Sequence, residues 1–126
     1  MQPPRSASVL DSFKYAGAGL IEVVRTQRNF RIHLCFTVGA SLLAVWLRLD
    51  VYRWMALVLT IGSVLTAEIV NTAAETLVDL TSPDYHPLAK RVKDLAAAGV
   101  LMRAIGAVVV GLLIFGGPLL AKLGWG

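Results

Sequence analysis

The chain has 126 residues, a formal net charge of +4, one cysteine and a hydrophobic fraction of 56%. That length suits one domain, and the lone Cys35 excludes an intrachain disulfide or a multi-cysteine metal site. The apolar excess falls in blocks and the basic residues flank those blocks, which excludes an ordinary water-soluble globule and argues against nucleic acid as a partner.

Residues 1–8, MQPPRSAS, read as a flexible start, and residues 9–126 as one domain. Residues 1–31 contain no apolar core of the kind a signal peptide needs. From Val9, apolar residues recur as Leu10, Phe13, Gly17, Leu20 and Val24, while Asp11, Lys14, Glu22 and Arg25 take the other face. This spacing predicts an amphipathic helix lying along the membrane surface. The stretch 28-RNFRIH-33 is expected to turn the chain into a first span over Ile32–Leu47. Cys35, inside that apolar block, is expected to be a buried packing residue. The link 47-LRLDVYR-53 is short, so the second span, Trp54–Ala67, forms a hairpin with the first.

No breaker follows in 67-AEIVNTAAETLVDL-80, so the second membrane helix should continue beyond the bilayer. It ends at 81-TSPDYHP-87, where Pro83 and Pro87 forbid continuation. A new helix begins near Leu88 and enters a third apolar run, Leu95–Leu120, interrupted only by Arg103. Gly116, Gly117 and Pro118 are expected to loosen its far end. A helix needs roughly 20 apolar residues to cross the hydrocarbon core. The third run meets that length; the first two meet it with their polar ends among headgroups. The fold class is therefore all-α: a surface helix plus three transmembrane helices.

Arg5, Lys14, Arg25, Arg28 and Arg31 precede the first span, and Lys90, Arg91 and Lys93 lie between the second and third. Only Arg48 and Arg53 occupy the other link, and only Lys122 follows the last span. The excess of positive charge predicts a cytoplasmic N-terminus and a cytoplasmic 80–94 loop. Trp46, Tyr52, Trp54 and Trp125 then fall near the outer interface, where aromatics concentrate.

The segment leaving the second span carries Glu68, Asn71, Glu75 and Asp79 within an arc of roughly 80° on a helix, with Thr72 at its edge. Counting roughly 20 residues from the outer boundary places Glu68 just inside the inner interface. Glu75 lies about 10 Å further toward the cytoplasm. One carboxylate is thus level with a lipid headgroup and the other within reach of a soluble phosphate donor. Phosphoryl transfer needs a divalent metal, cations to offset charge and a group to receive the acceptor proton. Glu75 suits magnesium, Lys93 suits the phosphates, and the partly desolvated Glu68 suits a general base. Acids pairing with Lys90, Arg91 or Lys93 merely to hold helices together is the plain structural alternative. A non-enzymatic membrane scaffold or a proton-conducting assembly is the alternative function. No charged residue continues the stripe through Trp54–Thr66, and no Walker or GxGxxG motif is present.

The string 68-EIVNTAAETLVD-79, followed by 84-DYHPLAKRVKDLAAAGV-100, closely resembles the prokaryotic diacylglycerol kinase family, which includes undecaprenol kinases. The stretch 12-SFKYAGAGLIEVVRTQRNFRIH-33 is also similar, more so to Gram-positive members, and the likeness covers roughly residues 9–115. The resemblance implies a homotrimeric multi-pass kinase of the bacterial plasma membrane. It would transfer the γ-phosphate of ATP, with Mg²⁺, to diacylglycerol or undecaprenol at active sites shared between protomers. It casts Glu68 as catalytic base and acceptor contact, and Glu75 as metal ligand. Asn71, Asp79, Asp84, Tyr85, His86, Lys93, Asp94 and Tyr15 would bind the nucleotide. Asn29, Phe30, Arg31, His33 and Trp46 would line the lipid site. The family's second metal-binding glutamate falls at Gln27, which can ligate through its amide oxygen but brings no charge. A three-span protomer is also too small to enclose two substrates alone, and Ala96–Gly99 suits close helix contacts.

Overall fold

The computed structural model describes residues 8–125. The flexible start expected at residues 1–8, and Arg5 with it, lies outside them except for Ser8. Four helices follow one another: α1 (Val9–Thr26), α2 (Arg28–Trp46), α3 (Val51–Thr81) and α4 (Pro87–Lys122). Among the described residues there is no strand. Helices α2, α3 and α4 are each long and apolar enough to cross a membrane, so the all-α reading with one amphipathic and three spanning helices holds.

The helix boundaries have local causes. α1 and α2 are separated by Gln27 alone, which is extended at φ −107° and ψ 108°. The turn expected over residues 28–33 is therefore helix instead. Arg31 reaches back and donates through Nη1 to the Val24 and Arg25 carbonyls at 2.8 and 3.0 Å, satisfying acceptors that a helix end leaves open. α2 ends with Arg48 at φ 53°. Leu49 N–H then bonds back to Ala44 O at 3.2 Å, in the manner of a Schellman cap. Asp50 caps α3 by accepting from Arg53 N–H at 3.0 Å, so α3 starts at Val51 and not at Trp54. That bond and the Arg53 guanidinium also hold the Asp50 carboxyl below its usual range. His86 caps α4, accepting from Leu88 N–H at 3.1 Å, and Pro87 fits the first helical position because it has no N–H to lose there.

The far end of α4 does not loosen. It stays helical through Gly116, Gly117 and Pro118 to Lys122. Pro118 lies close to the end, and its ring removes one backbone donor. In an apolar setting the neighbouring groups are satisfied best by remaining in the helix.

α3 packs extensively against α4, less against α2, and α1 touches α2. The core joins Ala44, Leu49, Leu57 and Ile114, with Trp54 and Phe115 against it. This cluster lies at the hairpin end of the bundle. Cys35 is exposed, contrary to the expected burial, because α3 covers only one side of α2. At 31 and 36 residues, α3 and α4 are about 46 and 54 Å long, against about 30 Å of hydrocarbon. Both therefore overshoot the bilayer, and the ends joined by residues 82–86 project beyond it together.

Candidate active site

The polar stripe rises along α3 as one unbroken helix, and its members meet different neighbours. Glu68 is the deepest and is only 3% exposed. Its Oε1 stands 3.3 Å from Nε2 of His33 on α2. The two atoms are near each other but out of line for a hydrogen bond, and Oε1 has no hydrogen-bond partner. One turn further, Asn71 Nδ2 donates to Glu75 Oε1 at 3.3 Å, while Asn71 Oδ1 is buried without a partner. Thr72, at the edge of the stripe, donates to the Glu68 backbone carbonyl at 2.9 Å.

Nearest the projecting end, Asp79 accepts from Lys93 Nζ at 2.6 Å. Lys93 precedes the apolar run that begins at Leu95, so it stands outside the membrane. The hydrogen bond to Asp79, aided by the charges of Asp79 and Glu75, holds its ammonium above the usual lysine range. Lys90 pairs with Asp94 at 2.6 Å on the same helix. The plain structural alternative is thus realised at Asp79, whose lysine ties α4 to α3. It is not realised at Glu68 or Glu75, which carry no lysine or arginine partner among the described residues.

Of the other nucleotide candidates, Asp84 and Tyr85 are exposed in the link, where Ser82 Oγ donates to Asp84 O at 3.2 Å. His86 is committed to capping α4, and Tyr15 is exposed on α1. Gln27 sits at the α1–α2 break, and no hydrogen bond joins it to Glu75. Among the described residues no three His, Cys, Asp or Glu side chains gather as a metal cluster. The donors that do adjoin, the Glu75 carboxylate and the orphaned Asn71 amide oxygen, are hard oxygens. They fit Mg²⁺, which takes few protein ligands and completes its shell with phosphate oxygens and water.

Of the lipid-site candidates, His33 adjoins Glu68, Phe30 is buried and Asn29 is exposed. Arg31 is engaged in capping α1. Trp46 lies about 20 Å from His33 along α2 and holds Lys122 of α4 over its ring at 5.2 Å.

Two hollows flank the α3–α4 pair. On the α2 side, a cavity of ≈ 360 Å³ runs from His33 past Thr60, Ala107 and Gly111 to Phe115, with almost wholly apolar walls. On the other side, a groove of ≈ 630 Å³ runs past Gly62, Ser63, Ala67, Asn71, Gly99 and Arg103. Arg103 forms no ion pair among the described residues. The cavity was not anticipated from the sequence. Its signal there is the small residues Ala104, Ala107 and Gly111, spaced by three and four on one face of α4.

The family model described as "Prokaryotic diacylglycerol kinase" matches residues 14–115. The chain is 40% identical over 104 residues to an undecaprenol kinase of Bacillus subtilis, covering 82% of this chain and 85% of that protein. It is 45% identical over 117 residues to a diacylglycerol kinase of Synechocystis, covering 92% and 67%. A diacylglycerol kinase of Escherichia coli is 31% identical over 101 residues, covering 80% and 83%.

Proposed function

Starting from the premise that this chain belongs to the prokaryotic diacylglycerol kinase family and is a membrane lipid kinase, we propose that it transfers the γ-phosphate of ATP to the hydroxyl of diacylglycerol or undecaprenol. Residues 9–126 act as one unit in the bacterial plasma membrane, with the N-terminus and the active site on the cytoplasmic side. The observation that carries this reading is a pair of carboxylates on one helix: Glu68, buried against His33, whose ring lines an apolar cavity, and Glu75 about 10 Å nearer the aqueous end.

In this reading the lipid chain enters the cavity and its hydroxyl meets Glu68. The hydroxyl proton passes to the Glu68 carboxylate as the oxygen bonds to the γ-phosphorus. The bond from that phosphorus to the β–γ bridging oxygen breaks, and its electron pair leaves with ADP. Lys93 offsets phosphate charge, and Asp79 holds Lys93 in place. Asp94, Tyr15 and the 84–86 link bound the nucleotide. Mg²⁺, when bound, draws charge from the donor phosphates. Glu75 and Asn71 Oδ1 are the donors in this chain that would hold it, with Gln27 as a further oxygen donor from the α1–α2 break. Asn29, Phe30, Arg31 and Trp46 belong to the lipid side: residues 29–31 near the headgroup, Trp46 at the far end of the acyl or prenyl chain.

The assembly is a homotrimer with shared sites. In support, the groove with Gly62, Ser63, Ala67 and Gly99 is open on the flank that α2 does not cover, and small residues permit close helix approach. Arg103, in the same groove, would reach either the cytoplasmic headgroups or an acid of a neighbouring protomer.

The test is label transfer from γ-labelled ATP to each lipid alcohol by the purified protein. Wild type labels lipid, and the side-by-side rates on diacylglycerol and undecaprenol name the preferred acceptor. Glu68→Gln lowers the rate by about 10²–10⁴-fold, the usual weight of a general base. Wild-type turnover in that variant removes Glu68 from the role.

A further inference from the structure

Glu68 is the one buried charged residue among the described residues. Burying a carboxylate is costly unless a partner compensates it. Yet no lysine or arginine approaches it, and the Thr72 hydroxyl donates to the Glu68 backbone and not to its carboxylate. What faces Oε1 is Nε2 of His33 at 3.3 Å. This is also the one polar side-chain contact between α2 and α3 among the described residues. His33 has a second aspect: its ring stands in the wall of the apolar cavity that runs between α2, α3 and α4. The imidazole therefore touches both the buried carboxylate and the space beside it.

We propose that His33 is a positioning residue, whose Nε2 fixes the Glu68 carboxylate at the end of the apolar cavity so that it meets the acceptor hydroxyl. This rests on the reading of Glu68 as the base, and it assigns His33 to orientation of that base in place of lipid contact. The static geometry leaves room for the role. The contact is misaligned by itself and straightens when a hydroxyl enters beside the carboxylate, as catalytic hydrogen bonds commonly tighten on substrate binding. An ill-oriented reacting group costs roughly 100-fold.

The experiment measures kcat and KM for ATP and for the preferred lipid alcohol in His33→Phe, His33→Gln and His33→Asn. Phenylalanine keeps a ring in the cavity wall and removes the donor. Glutamine restores an N–H at similar reach. The expected result is a kcat loss of about 10- to 100-fold in His33→Phe, with both KM values within about twofold of wild type and most of the kcat recovered in His33→Gln. Where His33→Phe does not accumulate as a helical oligomer, His33→Asn, with a donor too short to reach, takes its place. Independently of turnover, the ¹⁵N shifts of the His33 ring should move on Glu68→Gln and stay put on Glu75→Gln.

A rise in lipid KM alone would make His33 a cavity-wall residue and overturn the proposal, as would wild-type kcat in His33→Phe, a glutamine variant no better than phenylalanine, or unmoved ring shifts. Wild-type turnover by Glu68→Gln would instead overturn the base assignment itself. Loss of activity there, combined with unaffected His33 variants, sinks only the present inference.

Discussion

Lys93 Nζ donates to Asp79 Oδ1 at 2.6 Å, joining α4 to α3 beyond the end of the apolar run. It is the one lysine–carboxylate pair that links two helices among the described residues. Both groups are solvent-accessible, so the pair contributes little as a strut. Under the proposed function its role is to hold a cation above Glu75, where donor phosphates would lie. Asp79→Asn should therefore raise the KM for ATP by about tenfold, the order expected when one charge-assisted contact is lost, with thermal stability almost unchanged. Lys93→Met should do more and lower kcat as well. Steady-state kinetics with ATP as the varied substrate checks both. Because Asp79 raises the Lys93 pKa, the pair is intact below the ordinary lysine value of 10.5 and is lost only as pH rises through the higher folded value. The ATP KM should thus show no break attributable to Lys93 between about pH 6 and 9.

Magnesium dependence isolates the next pair. Glu75 accepts from Asn71, whose own oxygen is left without a donor. Glu75→Gln keeps the hydrogen bond and removes the charge, so half-maximal activity should require at least about tenfold more Mg²⁺. Gln27→Glu adds a charge at the α1–α2 break and should lower the requirement. A magnesium titration at saturating ATP reads both changes, and an unmoved or raised requirement in Gln27→Glu counts against its place near the metal.

The apolar cavity makes a steric prediction. Gly111 lines it, and a Cβ at that position would meet nothing within 4 Å. Gly111→Ala should be tolerated. Gly111→Leu places a butyl group in a space of ≈ 360 Å³ and should raise the KM for the lipid alcohol several-fold while leaving the KM for ATP alone. Equal shifts in both constants would indicate a general distortion.

The sequence displays the spans because apolar run length and proline placement are local properties. Pro83 and Pro87 close α3 and open α4 where expected, and the stripe from Glu68 to Asp79 shares one helix face by spacing alone. Contacts between helices are not local. That His33 meets Glu68 depends on how α2 leans on α3, which no periodicity encodes. The separation of Trp46 from His33 is different: thirteen residues of helix at 1.5 Å each already place them apart, so the distance was legible. The start of α3 at Val51 came instead from the structure, where Asp50 accepts from Arg53 N–H. The burial expected of Cys35 failed because a membrane helix is apolar on faces that nothing in its own chain covers.

The cap of α2 yields a prediction about stability. Arg48 adopts φ 53°, while Gly124 takes φ 81° at the equivalent place after α4. In both caps the next residue bonds back across the turn, Leu49 N–H to Ala44 O at 3.2 Å and Trp125 N–H to Leu120 O at 2.9 Å. Glycine adopts this conformation freely, whereas a residue with a Cβ pays about 1–2 kcal/mol for it. The capping bond and the burial of Leu49 against Ala44 and Leu57 hold Arg48 there despite the strain. Arg48→Gly keeps both and removes the strain, though glycine also loses more backbone freedom on folding. The net expectation is a gain of roughly 0.5–1 kcal/mol, read as a higher thermal midpoint in detergent, with kcat unchanged because the hairpin lies at the opposite end of the bundle from Glu68. Arg48→Ala separates the causes: it removes the same charge but keeps the Cβ, so it should bring no gain. A midpoint that rises equally in both variants would trace the effect to charge and not to backbone conformation.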